Sequence, residues 1–437
     1  MLTKKNTICF LASIVLILFP VLYLAYLFYK EPYLSDLGAY CAISRALFEG
    51  NNPFPDHHEL LFCKTHGGDI VPIVYPGQML FFVIPSYLWG IATHIIFFSL
   101  NLACIFLLIG LTLIKTCGYQ IRDLWTPGKK QFVFALCCFI CCFSTATKEN
   151  LKYGQIPIIL AICFFCMFWI AGRASFWVRT FLFAFIALAK YSLLPVVAPL
   201  LFFKGHWKLC IAAFSVFVLF SLSPVLVGNN LVDIYSEYIK AVSLIVQPGH
   251  FNHYDTCPNG MCHLGFFKVS IINYLLKAVV IGMVLWLFWR ERKKKYLSDT
   301  LLLLSFCLTM LLSYHRVHDL IFLYPLFVIR FIDFAQKKQW KLFGITLLFP
   351  LFLMIPRTIA HLLIPSYFGR IPGMESIVYL TDYPPYYKIF PVMPIFTIAL
   401  TLWSLYLYLR VKDPYRFEIP IPGKESSLDS EGSVGKE

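Results

Sequence analysis

A few positions along this chain of 437 residues carry side chains able to do acid–base or anion chemistry. Asp36 stands in Ser35-Asp36-Leu37-Gly38-Ala39-Tyr40, just after the first long apolar run. A carboxylate there can take a proton from an attacking hydroxyl, general-base work worth about 10²–10⁴ in rate. The competing reading is a helix cap, because Asp commonly precedes an apolar helix. Lys190 sits inside an apolar stretch, where a charge costs roughly 2.5–3.5 kcal/mol on insertion scales and usually serves function. Its expected partner is an anionic phosphate; the competing reading is a lysine that snorkels to the interface. His315, Arg316, His318 and Asp319 form the densest polar cluster between two apolar blocks. Arg binds phosphate bidentately and keeps its charge in low dielectric, and a His can hold or protonate a phosphate oxygen. The competing reading is a solvated turn whose charges end the helices.

Other polar groups are weaker candidates. Lys148, Glu149, Asn150 and Lys152, with Gln155 close behind, read equally as an ordinary turn. His57, His58, Glu59, His66 and Asp69 fit no standard zinc spacing, and His315 and His318 have no evident third and fourth ligand, so no metal is expected. Cys257 and Cys262 lie five positions apart. Both a disulfide and two free thiols are open for them.

These groups must be positioned by membrane helices. Hydrophobic residues make up 59% of the chain and charged residues 14%, against about 25% charged in soluble domains. Ile8–Phe28, Ile91–Ile114, Leu209–Val227 and Phe390–Leu409 are each near the ~20 residues that cross a bilayer as helix. In lipid every backbone group must be satisfied within its own segment, so these blocks are helices. The net charge of +14 does not point to nucleic acid. The basic residues fall between apolar blocks, as membrane orientation requires, and no nucleic-acid partner is expected. The apolar run after Lys4 and Lys5 is too long for a cleaved leader and reads as a first span.

Placing the basic clusters on the cytoplasmic side gives a topology. They lie at Lys4–Lys5, Lys115–Lys130, Arg173–Arg179, Lys204–Lys208, Arg290–Lys295, Lys337–Lys341 and from Arg410 onward, and hold most of the 37 Lys and Arg residues. About twelve crossings follow, with both termini cytoplasmic. Residues 75–90 read as a short interfacial or re-entrant helix. The apolar run 180–203 is flanked by basic clusters on both sides, so it must go in and come back, with a break at Lys190-Tyr191-Ser192. Residues 1–410 are expected to form the transmembrane domain and 411–437 a disordered cytoplasmic tail.

Several of these segments occur in a familiar order. Ser35-Asp36-Leu37-Gly38-Ala39-Tyr40 is followed by Ala46-Leu47-Phe48-Glu49-Gly50-Asn51-Asn52-Pro53-Phe54 and then Tyr75-Pro76. Lys152-Tyr153-Gly154-Gln155 precedes an apolar helix. Ala187–Trp207 carries Lys190 and Pro195, and Ser313-Tyr314-His315-Arg316-Val317-His318-Asp319 closes the series. Together they resemble glycosyltransferase family 87, polyprenol-phosphate-mannose-dependent alpha-mannosyltransferases of the C-type glycosyltransferase fold. The Gly-Gln turn departs from the family by continuing Ile156-Pro157, and the His315 turn lacks its usual Pro and Trp.

The resemblance implies an all-α, polytopic integral membrane protein. It would be a C-type bundle of about twelve helices with short interfacial helices on the outer side. It implies sugar transfer with inversion from a polyprenyl-phosphate donor to a lipid or glycan acceptor, on the outer face of the cell (inner) membrane. Asp36 would be the base, and Lys190, Arg316, His315 and His318 would bind the donor phosphate. Tyr40, Lys152 and Gln155 would line the cavity. Partners are then the lipid-linked donor, the acceptor and membrane lipids; no cofactor is expected. The rival class is a transporter or flippase of a lipid-linked or small anionic solute, because broken helices and intramembrane charge suit that too.

Overall fold

The computed structural model describes residues 4–30, 35–49, 87, 91–170, 175–228, 230–245, 270–294, 296–313, 315, 317–354 and 392–417. The segment 75–90 apart from Tyr87, the cysteines 257 and 262, the histidines 57, 58 and 66, and Arg316 lie outside them.

The described chain is helical. In order it forms α1 (Lys4–Lys30), α2 (Ser35–Phe48), α3 (Ile91–Thr116), α4 (Ile121–Trp125), α5 (Lys129–Phe143), α6 (Thr145–Tyr153), α7 (Pro157–Trp169) and α8 (Ser175–Lys190). There follow α9 (Val197–Leu201), α10 (Trp207–Ser221), α11 (Leu231–Ile245), α12 (Ser270–Glu291), α13 (Asp299–Leu312), α14 (Tyr324–Gln336), α15 (Trp340–Met354) and α16 (Val392–Arg410). The one departure from all-α among the described residues is a two-residue antiparallel pair. It joins β1 (Leu297–Ser298) to β2 (Arg416–Phe417), with Leu297 opposite Phe417 and Ser298 opposite Arg416.

Among the described residues, five helices are long and apolar enough to cross a bilayer. The number is six if the bent pair Lys129–Phe143 and Thr145–Leu151 is one broken span. Four further apolar helices are shorter. A multi-pass membrane protein follows from this; a count of twelve crossings does not. One of the five, the apolar run Val197–Leu226, is not straight. Gly205 adopts φ 90 within a π-helical turn, Phe202–His206, a backbone conformation that glycine tolerates and L side chains rarely adopt. Cys210 Sγ consequently lies 3.8 Å from the Ala198 carbonyl oxygen. Twelve residues of straight helix would hold them about 18 Å apart. The chain therefore returns on itself between Lys190 and α10, as the flanking basic clusters predict.

At the centre, α13 is buried along nearly its whole length. A helix apolar on all sides must pack on all sides. Phe306 of α13 meets Phe164 of α7 edge-on at 5.1 Å and Phe322 at 5.3 Å. By contrast α1 and α12 bury little of their apolar windows and expose large hydrophobics such as Leu22, Leu275 and Trp289, as lipid-facing helices do.

The two ends of the bundle differ in chemistry. At one end Lys204 is buried and donates to Glu291 Oε2 at 3.2 Å, while Glu291 Oε1 pairs with Lys294 at 2.7 Å and accepts from the Tyr408 hydroxyl. Arg179 donates to the Met167 carbonyl at 2.8 Å. Arg330, fully buried, pairs with Asp299 at 2.5 Å and with Asp413 at 3.2 Å. These contacts join the clusters near residues 204, 290 and 410, and Asp333, which meets Arg330 and pairs with Lys337 at 2.6 Å, adds the one near 337. The expected tail begins at 411, yet residues 411–417 are described and packed: Asp413 meets Arg330 and Phe417 is 1% exposed. Residues beyond 417 lie outside the described chain.

Candidate functional site

The opposite end gathers most of the residues singled out by chemistry. Its centre is the break after α8. Lys190 leaves the helical region (φ −159, ψ 72) and a single 3₁₀ turn, Tyr191–Leu193, follows. Pro195 has no N–H to continue the ladder, so carbonyls at the break need other donors. The Ser192 carbonyl finds two: Ser313 Oγ donates to it at 3.0 Å and His315 Nε2 lies 2.9 Å away.

The segment from Val317 to Leu323 is a 3₁₀ turn between α13 and α14, and all of it is buried. A solvated turn is thereby ruled out. Asp319 is fully buried, and its two oxygens serve different partners. Oδ1 accepts from Lys190 Nζ at 2.6 Å, and Oδ2 from His315 Nδ1 at 2.9 Å. Lys190 Nζ also lies 3.2 Å from His318 Nε2. An ammonium only donates, so that nitrogen of His318 is the acceptor and its hydrogen sits on Nδ1. Burial pushes the Asp319 carboxyl up, but Lys190, His318 and His315 outweigh it and hold the group well below the usual carboxylate range. The partner that sequence reasoning expected for Lys190, a phosphate, is here preceded by a protein carboxylate. Lys190 itself stays 19% exposed, and its partner Asp319 not at all. Among the described residues no group of three His, Cys, Asp or Glu could hold a metal ion.

A second layer comes from α6. Ser144 caps it, accepting from Thr147 N at 3.2 Å, and Gly154 ends it in the left-handed conformation at φ 69. A terminus of this kind is common where glycine avoids the Cβ penalty. Within α6, buried Asn150 donates through Nδ2 to the His318 carbonyl at 2.9 Å and to the Ala146 carbonyl at 2.9 Å. Gln155, also buried, follows the Gly154 turn and accepts from the Tyr40 hydroxyl at 3.4 Å. Tyr40 lies on α2, one helical turn after Asp36, so α2 is docked on this end of the bundle. Asp36 is the second residue of α2.

The structure thus connects Tyr40, Gln155, Lys190, His315 and His318 through one chain of contacts. The side chains of Asp36 and Lys152, and Arg316 entirely, lie outside the described residues. Sequence reasoning named Asn150 only as one member of a polar turn with Lys148, Glu149 and Lys152, and Ser192 and Ser313 only inside longer motifs. The Ser192 contribution is a backbone carbonyl and leaves no trace in residue type.

No curated protein and no solved structure matches the chain. The model of glycosyltransferase family 87 matches residues 74–313, more than half of the 437. The matched stretch includes Lys152, Gln155 and Lys190; it begins after Asp36 and Tyr40 and ends just before His315. The chain belongs to glycosyltransferase family 87.

Proposed function

We propose that this membrane glycosyltransferase moves a hexose, mannose by resemblance, from a polyprenyl-phosphate donor to a lipid or glycan acceptor. Transfer would invert the anomeric centre and take place on the outer face of the membrane, opposite the basic end. Family membership sets aside the transporter reading. The observation that carries the rest is the clustering of Lys190, His315 and His318 at a helix break, on the end where α2 docks through Tyr40 and Gln155.

In this reading the donor phosphate meets the exposed edge of Lys190, with Arg316 and His318 beside it; His315, expected to bind phosphate too, is buried with both ring nitrogens engaged and supports the site from behind. Charge-assisted bonds of this type are about twice as strong as neutral ones. Asp36 accepts the proton of the acceptor hydroxyl as its oxygen attacks the anomeric carbon. The bond from that carbon to the phosphate oxygen breaks, and the electron pair leaves with the phosphate. Asp319 is unsuited to the base role, because it is fully buried and Lys190, His318 and His315 hold its proton affinity low. The bundle would be of the C-type, its cytoplasmic side carrying the Lys and Arg clusters.

The test is sugar transfer by purified full-length protein from polyprenyl-phosphate-mannose to membrane acceptors. Asp36→Asn should lower turnover by about 10²–10⁴ while donor binding and melting temperature stay near wild type. Asn caps a helix about as well as Asp, so a cap role predicts little change. Retention of more than about a tenth of the turnover would end the general-base assignment.

A further inference from the structure

The cluster at the helix break contains a carboxylate that the reaction itself does not use. Asp319 reaches both sides of the break by separate arms. Through Oδ1 it holds the Lys190 ammonium at 2.6 Å. Through Oδ2 it holds His315 Nδ1 at 2.9 Å, and the far nitrogen of that ring lies 2.9 Å from the Ser192 carbonyl. Its backbone neighbour is fixed as well, since the His318 carbonyl accepts from Asn150 at 2.9 Å. Lysine is a point charge on a flexible stem and does not orient itself. Of the pair, only Lys190 has exposed surface.

We infer that Asp319 is a positioning residue: it fixes the Lys190 ammonium at the break so that the exposed edge of that ammonium meets the donor phosphate. The inference rests on the phosphate-binding reading of Lys190 given under Proposed function. A carboxylate that only neutralised a lysine would need one contact. Asp319 also holds His315, and that contact ties the ring of His315 to the backbone two residues after Lys190. Misplacement by about 1 Å at such a site is enough to cost 10²-fold in rate.

The experiment compares Lys190→Met, Asp319→Asn, Asp319→Glu and the double variant Lys190→Met/Asp319→Asn in the full chain. Donor and acceptor KM are read with polyprenyl-phosphate-mannose, and melting temperature on the same samples. Lys190→Met and Asp319→Asn should each raise the donor KM about tenfold or more with acceptor KM unchanged. The double variant should match Lys190→Met within about twofold, because a residue acting through another has no further effect once that other is gone. Asp319→Glu, which keeps the charge but moves it by one methylene, should fold and still raise the donor KM.

A wild-type donor KM in Lys190→Met would overturn the phosphate-binding reading itself. With Lys190→Met impaired, a wild-type donor KM in Asp319→Asn or Asp319→Glu would overturn the positioning role alone. So would a further loss in the double variant. If Asp319→Asn fails to fold, Asp319→Glu decides: a wild-type donor KM there overturns the positioning role. A double variant that unfolds while Lys190→Met folds counts against the inference.

Discussion

The side-chain amide of Asn150 donates to the main-chain carbonyl of His318 across 168 residues of sequence. It thereby locks α6 to the turn that carries His318 and Asp319. Asn150 is fully buried, so removing the amide strands a carbonyl in a dry site. Asn150→Ala should destabilise the protein by about 1–3 kcal/mol, seen as a lower melting temperature. Asn150→Asp should be worse than Asn150→Ala, because an ionised carboxylate has no hydrogen to donate to the two carbonyls that Nδ2 now serves. Equal melting temperatures for wild type and Asn150→Asp would show that the contact carries no weight.

Asp319 also predicts a pH signature for stability. Its folded-state proton affinity lies below the unfolded value of about 3.9, because Lys190, His318 and His315 outweigh the burial that raises it. A depressed carboxylate contributes stability that is fully present above the unfolded pKa and is lost as pH falls toward the folded one. The gap in melting temperature between wild type and Asp319→Asn should therefore be steady from neutrality to about pH 5 and narrow below about pH 4. Thermal scans of the two proteins at matched pH measure it. A gap that is unchanged down to pH 3 would remove ionised Asp319 as a source of stability.

Chain shortening separates packed residues from those beyond them. A chain ending at Phe417 should melt near the full-length protein. One ending at Arg410 loses the Asp413 contact to Arg330 and the buried ring of Phe417, a cost of at least about 2 kcal/mol. Equal melting temperatures for the two truncations would show that residues 411–417 add nothing.

Much of the architecture was legible because lipid imposes a simple rule. Apolar blocks near 20 residues and the basic clusters between them gave the helices and the shared basic end. The break at Lys190 was legible too, since a charge and Pro195 interrupt one apolar run. Less visible was what Lys190 touches. Asp319 lies 129 positions away, and nothing in residue type or spacing pairs two lone charges across that distance. The burial of residues 317–323 was hidden for the same reason: a polar turn reads as solvated until the helices around it are in place. The packed segment 411–417 escaped because a two-residue strand is shorter than any periodicity.

The ion pair between Arg330 and Asp413 joins residues 83 positions apart, and this bears on the order of assembly. During synthesis α13 and α14 leave the ribosome long before Asp413 does. Until then Arg330 has Asp299 and Asp333 beside it, two carboxylates for one guanidinium, but lacks the contact from the last packed residues. The central helices of the bundle reach their final pairing only when the end of the packed chain has emerged. A nascent chain cut short before residue 413 therefore has most of its helices but lacks one of the ion pairs of the buried Arg330.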